Sequence, residues 1–190
     1  MKRNTFDEEK KRIFIEERVK MDGENKELEL ESIARYRFAS KWTEGKSVYD
    51  CACGVGYGVE YLKSSDYTGY DSDEKALEEA KKYGGKYKKQ DLDKVRFGKV
   101  DCIVSFETME HLEDPVKFIR KASEACDTFI FSVPNNEWPG DNPFHKWIFN
   151  ENDFKDIIRK YFSKCEFWHQ EHEEISETCY PSYLIGVCGR

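Results

Sequence analysis

With 190 residues the chain is long enough for one domain with a substantial apolar core, and a second catalytic domain does not fit beside it. Charged residues make up 36% of the sequence, acids and bases are interspersed and the net charge is −7, so the surface should be well solvated and should repel phosphate backbones. No stretch approaches the roughly 18 apolar residues of a membrane span, and the charged N-terminus is unlike a signal peptide, so a cytoplasmic protein without a membrane span is expected and a nucleic-acid partner is not.

Two amphipathic helices open the chain. Ile13 and Phe14 mark the apolar side of residues 7–20, and Leu30, Ile33, Ala34 and Phe38 recur near a 3.6-residue period over 27–42. After Gly45 short apolar runs alternate with helices. "SVYDCAC" reads as a strand, "YGVEYLKSS" as a helix, "YTGYDS" as a second strand and "DEKALEEAKKY" as a helix with Ala76, Leu77, Ala80 and Tyr83 on one side. Lys81, Lys82, Lys86, Lys88 and Lys89 read as a solvated lysine face, and Gln90 and Asp91 fall where a third strand should end. "VDCIVSF" is apolar throughout, as strands buried on both faces of a parallel sheet are. A helix capped by Asp114 with Pro115 in its first turn follows, then the buried strand "TFIFSVP". Residues 134–150 form a long irregular stretch and a candidate lid. Asn150 caps a helix carrying Phe154, Ile157, Ile158 and Tyr161, and "CEFWHQEH" and "SYLIGVCG" are suited to an antiparallel pair at the sheet edge. This alternation predicts an α/β fold with a parallel sheet covered on both sides, whose ligands bind beyond the carboxyl ends of the strands.

Seven cysteines, an odd number without paired C-x-x-C spacing, read as reduced core residues; Cys51 and Cys53 would share a face if both lay on one strand. Gly54, Gly56 and Gly58 supply a tight strand-to-helix turn that lets a ligand approach the main chain, and the following helix would offer unpaired N–H groups to it. Asp71 comes 21 residues after Asp50, where a carboxylate accepts hydrogen bonds from both hydroxyls of a ribose; it could equally cap the next helix. The third glycine falls one place early for the G-x-G-x-x-G of a nicotinamide dinucleotide site.

Asp50 with Gly54, Gly56 and Gly58, then Asp71, then Asp91, then "VSFETMEHLEDP" resemble class I S-adenosylmethionine-dependent methyltransferases over residues 30–165. The chain departs from many relatives in having Ala52 where they have glycine; "ACGVGYG", "ESIARYRFA" and "FSVPNN…NPFHKWIF" look like a subgroup associated with polysaccharide and glycan biosynthesis. The resemblance implies a Rossmann-like doubly wound, mostly parallel seven-stranded sheet with an antiparallel C-terminal edge hairpin. It implies one methyltransferase domain over 1–190, with N-terminal helices (1–44) covering the cofactor site, the core over 45–190 and a lid over 134–150. By position, Asp50 would anchor the loop, and Ala52, Cys53, Gly54 and Gly56 would pass the methionine part of S-adenosylmethionine. Asp71 would hold the ribose, Ser72, Gln90, Asp91 and Leu92 would frame the adenine, Phe106 and Glu107 would lie near the sulfonium, and Arg35 would pair with the cofactor carboxylate.

Methyl transfer to an alcohol needs an aligned nucleophile and a base or metal near the fourth strand. Glu110 and His111 in "ETMEH", with His145 from the lid, are the candidate catalytic residues. Glu107, Glu110, His111 and His145 could instead ligate a divalent metal, as similar segments do in ubiquinone-pathway O-methyltransferases and in enzymes that methylate small-RNA ends. Hydrogen bonding beneath the lid would need the same residues. Trp138, Phe144, Trp147 and Phe149 either pack the lid down or present flat faces to a sugar or a base. The acceptor expected is a sugar hydroxyl of a glycan or glycolipid precursor. A quinol-like molecule, an RNA end, or a non-catalytic cofactor-binding subunit are the alternatives.

Overall fold

The computed structural model describes residues 1–4, 21, 23–135 and 142–190. The helix expected over 7–20 and the part of the lid that holds Trp138 lie outside the described residues. The strands are β1 (Lys2–Arg3), β2 (Ser47–Cys51), β3 (Asp66–Asp71), β4 (Lys86–Lys89), β5 (Val100–Phe106), β6 (Cys126–Pro134), β7 (Trp147–Ile148), β8 (Lys164–Glu171), β9 (Glu174–Ser176) and β10 (Tyr183–Gly189). The α-helices are α1 (Lys26–Thr43), α2 (Val59–Leu62), α3 (Glu74–Ala80), α4 (Pro115–Ala125) and α5 (Glu151–Arg159).

Eight strands make the main sheet in the order β4-β3-β2-β5-β6-β10-β8-β9. The first five run parallel; β10 is antiparallel to both β6 and β8, as expected of the C-terminal pair. One strand more than the expected seven is present, because the short β9 folds back along β8. Strand order reverses between β2 and β5, so the crevice beyond Cys51 and Phe106 is where a ligand belongs in an open parallel sheet.

Period-two alternation sorts the central strands into two cores. Ile103, Phe129 and Phe131 face α4 and α5, where Phe118, Ile119, Phe154 and Ile158 meet them. Cys102, Val104 and Ile130 face the other way, toward Tyr36, Phe38, Ala39, Leu62 and Ala76. Phe118, Phe129, Phe131, Phe154 and Phe162 are wholly enclosed, and each side chain of that size contributes about 2 to 3 kcal/mol on burial. Caps fall where the sequence places them: Asp114 accepts from Lys117 N–H and Asn150 from Asp153 N–H.

The helix after the glycine loop departs from expectation. α2 is a single turn of four residues, because Lys63 turns left-handed (φ 52°) at its end, so a helix dipole has little to offer the loop. β4 reads "KYKK", and its charged edge is matched by ion pairs of Lys86 with Asp66 and Lys89 with Glu74, as suits an unpaired sheet edge. A second ribbon, β1 with β7, ties residues 2–3 to the last part of the expected lid.

Candidate active site

A cavity of about 730 Å³ opens beyond the ends of β2, β3 and β5, walled on one side by α1. Ala52, Cys53, Gly54, Asp71, Ser72, Gln90, Asp91, Leu92, Phe106, Glu107, His111 and Arg35, all singled out from the sequence, line it. Asp50, Gly56, Glu110 and His145 do not.

Backbone geometry explains the loop. Ala52 (φ 60°), Gly54 (φ 55°) and Gly56 (φ 81°) all sit in the left-handed region, so the position where many relatives have glycine costs strain when alanine fills it. Gly56 also faces the Ala80 side chain and the Tyr87 ring, which a β-carbon would strike. Its role is packing against α3 and β4. The strand ends at Cys51, before that turn, so Cys51 and Cys53 do not share a strand face. Burial first, then the nearby carboxylate of Asp50, raises both thiols, which keeps them protonated and unreactive; all seven cysteines are free.

Asp71 ties the loop to its own strand. One carboxylate oxygen accepts from Gly54 N–H and the other from Asp73 N–H, both at 2.9 Å. Asp73, not Asp71, caps α3, accepting from Lys75 and Ala76. Asp91 accepts from Asp93 N–H and pairs with Lys94 at 2.8 Å, and the Lys94 hydrogen bond lowers its pKa. Asp50 lies beneath the loop, 1% exposed, accepting from the hydroxyls of Tyr67 and Tyr36 at 2.8 and 3.1 Å.

Arg35 is buried, donates to Gln170 at 3.0 Å and Ser32 at 3.1 Å, and lies over the Tyr183 ring at 4.8 Å. Among the described residues its buried Nε has no hydrogen-bond partner, which fits a guanidinium suited to bind a carboxylate. Ser32, Arg35 and Tyr36 reach the cavity from one face of α1, at i, i+3 and i+4 spacing. Of these the family resemblance points to Arg35 alone; the i, i+3, i+4 spacing is the signal in the sequence for Ser32 and Tyr36. Tyr57, Asp93, Thr108 and Lys146 also line the cavity without having been singled out.

The far wall is assembled from distant segments. Glu107 closes β5 with φ 46°, and its carboxylate accepts from the Ser132 hydroxyl at 2.6 Å, outside the cluster formed by Glu110, His111 and His145. The ligand atoms of those three lie within 4.8 Å of one another, and Glu107, the fourth residue named with them from the sequence, is not part of that cluster. His111 Nδ1 is 3.2 Å from the Phe144 carbonyl, and its ring meets that of His145 edge-on at 4.8 Å. Two of the expected lid aromatics serve packing: Phe149 is buried in the core, and Trp147 donates to the Leu112 carbonyl. Phe144 faces the cavity.

Charge selects between ligands. Asp71, Asp73, Asp91, Asp93 and Glu107 surround the cavity against the cations Arg35 and Lys146, a field that attracts a sulfonium and repels a pyrophosphate. With no helix of length behind the glycine loop, a dinucleotide is disfavoured twice.

An α/β sheet of this order, a glycine turn at its switch point and an acidic cavity define the class I S-adenosylmethionine-dependent methyltransferases. The chain belongs to the methyltransferase domain family, whose model matches residues 25–173, and S-adenosylmethionine is its cofactor. Among solved structures it is similar to magnesium protoporphyrin IX methyltransferase from Synechocystis PCC 6803 with bound SAH (18% identity, TM-score 0.62, 94% of this chain and 92% of that one). It is also similar to an S-adenosylmethionine-dependent methyltransferase from Mesorhizobium loti (18% identity, TM-score 0.65, 85% and 100%). A third likeness is to the small RNA methyltransferase HEN1 (19% identity, TM-score 0.68), of which it spans 27% while 93% of this chain is covered. No curated protein matches by sequence. At these identities the structural likenesses speak for the fold.

Proposed function

We propose that this methyltransferase transfers its methyl group to a hydroxyl of a sugar in a glycan or glycolipid precursor, with His111 as the base. The observation that carries the reading is the placement of His111. Its ring is one-third exposed on the cavity wall, and donation from Nδ1 to the Phe144 carbonyl leaves the lone pair on Nε2. A hydroxyl held against Nε2 gives up its proton as it attacks the methyl group in line. The buried Glu110 carboxylate, 3.9 Å from Nε2, stabilises the imidazolium that forms. The sulfonium cofactor, when bound, supplies the methyl group and a neutral thioether leaving group. Phe144 offers a flat face and Lys146 and Thr108 polar contacts, a mixture suited to a sugar ring.

On this reading Arg35 binds the cofactor carboxylate, Gly54 and Cys53 pass the methionine part, Asp71 holds the ribose and Leu92 with Asp91 frames the adenine. The net charge of −7 favours a small or glycan acceptor over nucleic acid. Among the described residues no helix is long and apolar enough to cross a membrane.

One observation favours a second reading. Two imidazoles and a carboxylate within 4.8 Å form a ligand set suited to zinc or another divalent ion. At Glu110, His111 and His145 such an ion would lower the pKa of a bound hydroxyl. Incubating the enzyme with methyl-labelled cofactor and a panel of nucleotide-activated sugars, glycolipid precursors, quinols and small RNAs tests the acceptor. Labelled sugar is expected, and turnover confined to quinols or RNA ends overturns the proposal. Metal analysis of the purified protein and turnover after chelation decide between base and ion.

A further inference from the structure

The two ends of the glycine motif face away from the cavity. Asp50 is buried beneath it and Gly58 does not line it, yet both meet the same side chain, Tyr36 of α1. The Tyr36 hydroxyl donates to the Asp50 carboxylate, at 3.3 and 3.1 Å to its two oxygens. Gly58 has φ −56° and ψ −31°, ordinary helical values that any residue adopts, so conformational freedom is not the reason for glycine there. The three atoms nearest to a β-carbon built on it all belong to the Tyr36 ring. The missing side chain is the seat of that ring.

Seated there, Tyr36 spans the cavity floor. Its ring meets Tyr57 of the glycine loop edge-on at 5.3 Å and Phe106 at the end of β5 at 5.1 Å. All three residues line the cavity, as do Ser32 and Arg35 on the same face of α1. The height of α1 over the cavity is therefore set where its tyrosine meets the sheet. We propose that Asp50 and Gly58 are positioning residues that seat Tyr36, and through it hold α1 over the cofactor, without contacting the cofactor themselves.

The alternative is that Asp50 and Gly58 serve the cofactor directly, as their place in the motif suggests. Asp50 already accepts from Tyr36 and from Tyr67, which anchors it to β3 as well as to α1. Further groups around it come from every packed element: Cys51 of β2, Cys53 and Tyr57 of the loop, Asp71 of β3 and Tyr87 of β4. None is a cation. Among the described residues the carboxylate is held by the Tyr36 and Tyr67 hydroxyls, so removing the Tyr36 hydroxyl leaves half of that support.

The inference rests on the cavity being the cofactor site, and S-adenosylhomocysteine is the probe that separates the two claims. Titration of the wild-type protein with it by calorimetry tests the site; comparison among variants tests the seat. Gly58→Ala is expected to weaken S-adenosylhomocysteine about tenfold in the wild-type background. In the Tyr36→Ala background, where the ring is gone, the same substitution should change affinity by less than about twofold. Tyr36→Phe keeps the ring and loses the bond to Asp50. It should weaken binding about fivefold, and adding Asp50→Asn should cost little more, as expected of partners in one interaction. Equal losses from Gly58→Ala in both backgrounds, or additive losses from Tyr36→Phe and Asp50→Asn, would show direct service to the cofactor and overturn the proposal. So would an affinity in Gly58→Ala and Tyr36→Phe equal to that of the wild type, with melting temperature alone lowered.

Discussion

The two halves of the cavity are built by different means. On the cofactor side, residues 50–58, 71–73 and 90–93 are the ends of consecutive parallel strands and their following turns, locked by bonds between and within those strand ends such as Asp71 to the Gly54 and Asp73 amides. On the acceptor side, β1, a 3₁₀ turn (Met109–His111) and β7 come from well-separated parts of the chain and are joined by side chains and amides reaching carbonyls. Asn4 donates to the carbonyls of Asn142 and His145, and Lys146 N–H to that of Glu110. The cofactor half is thus a property of the sheet, which every strand pair stabilises. The acceptor half depends on a few long-range hydrogen bonds, each worth about 1 kcal/mol, and can change without disturbing the sheet.

Substitutions should respect that division. The largest effect is expected at His111: His111→Ala should lower turnover about 10³-fold on the acceptor identified by the panel, the usual scale for a lost general base. Its affinity for S-adenosylhomocysteine should stay within about twofold, and a comparable loss of both would make His111 structural. On the other side, Asp71→Ala leaves the Gly54 and Asp73 amides without their acceptor as well as removing the proposed ribose partner. A loss of about 100-fold in S-adenosylhomocysteine affinity is expected by calorimetry, about 2.7 kcal/mol; unchanged affinity would mean that the ribose lies elsewhere.

The next effect concerns the sheet beneath both halves. Burial pushes the Asp50 carboxyl up to about 7, against the opposing pull of hydrogen bonds from Tyr67 and Tyr36. A carboxyl raised in this way keeps its proton in the folded chain and loses it near pH 4 in the unfolded one. The stability it contributes is therefore present below about pH 4 and is lost as pH rises to about 7. Asp50→Asn does not titrate, so its melting temperature relative to wild type should climb by a few degrees between pH 5 and pH 8, at about 2 to 4 °C per kcal/mol for a chain of this size. A difference independent of pH would show that Asp50 is ionised throughout. Smallest should be Asn4→Ala, which removes two bonds from the acceptor wall. About a fivefold rise in acceptor KM is expected, with S-adenosylhomocysteine affinity unchanged; altered cofactor affinity would erase the boundary between the halves.

The sequence carried the cofactor half because its determinants are local. Glycines where the backbone turns left-handed, a carboxylate at each strand tip and apolar runs between capped helices can be read in order along the chain, as at Gly54, Asp71 and "VDCIVSF". Arg35 was legible through its "RY" setting, and its neighbours Ser32 and Tyr36 through helical spacing. The single turn of α2 was not, since the left-handed Lys63 that ends it has no glycine to announce it. Nor was the pairing of β1 with β7, two-residue strands about 145 residues apart whose register depends on neither periodicity nor turn chemistry. Which acids meet which histidines was likewise a tertiary decision: Glu107 and Glu110 stand three residues apart, yet the backbone sends Glu107 to Ser132 and buries Glu110 beside His111 and His145. Local pattern determined the strands, their turns and the ligand class they suit. Only chain-distant packing decided the far wall of the cavity and the contacts of Asp50 and Gly58 with Tyr36, because a side chain's partner is set by where the sheet brings it and not by its place in a motif.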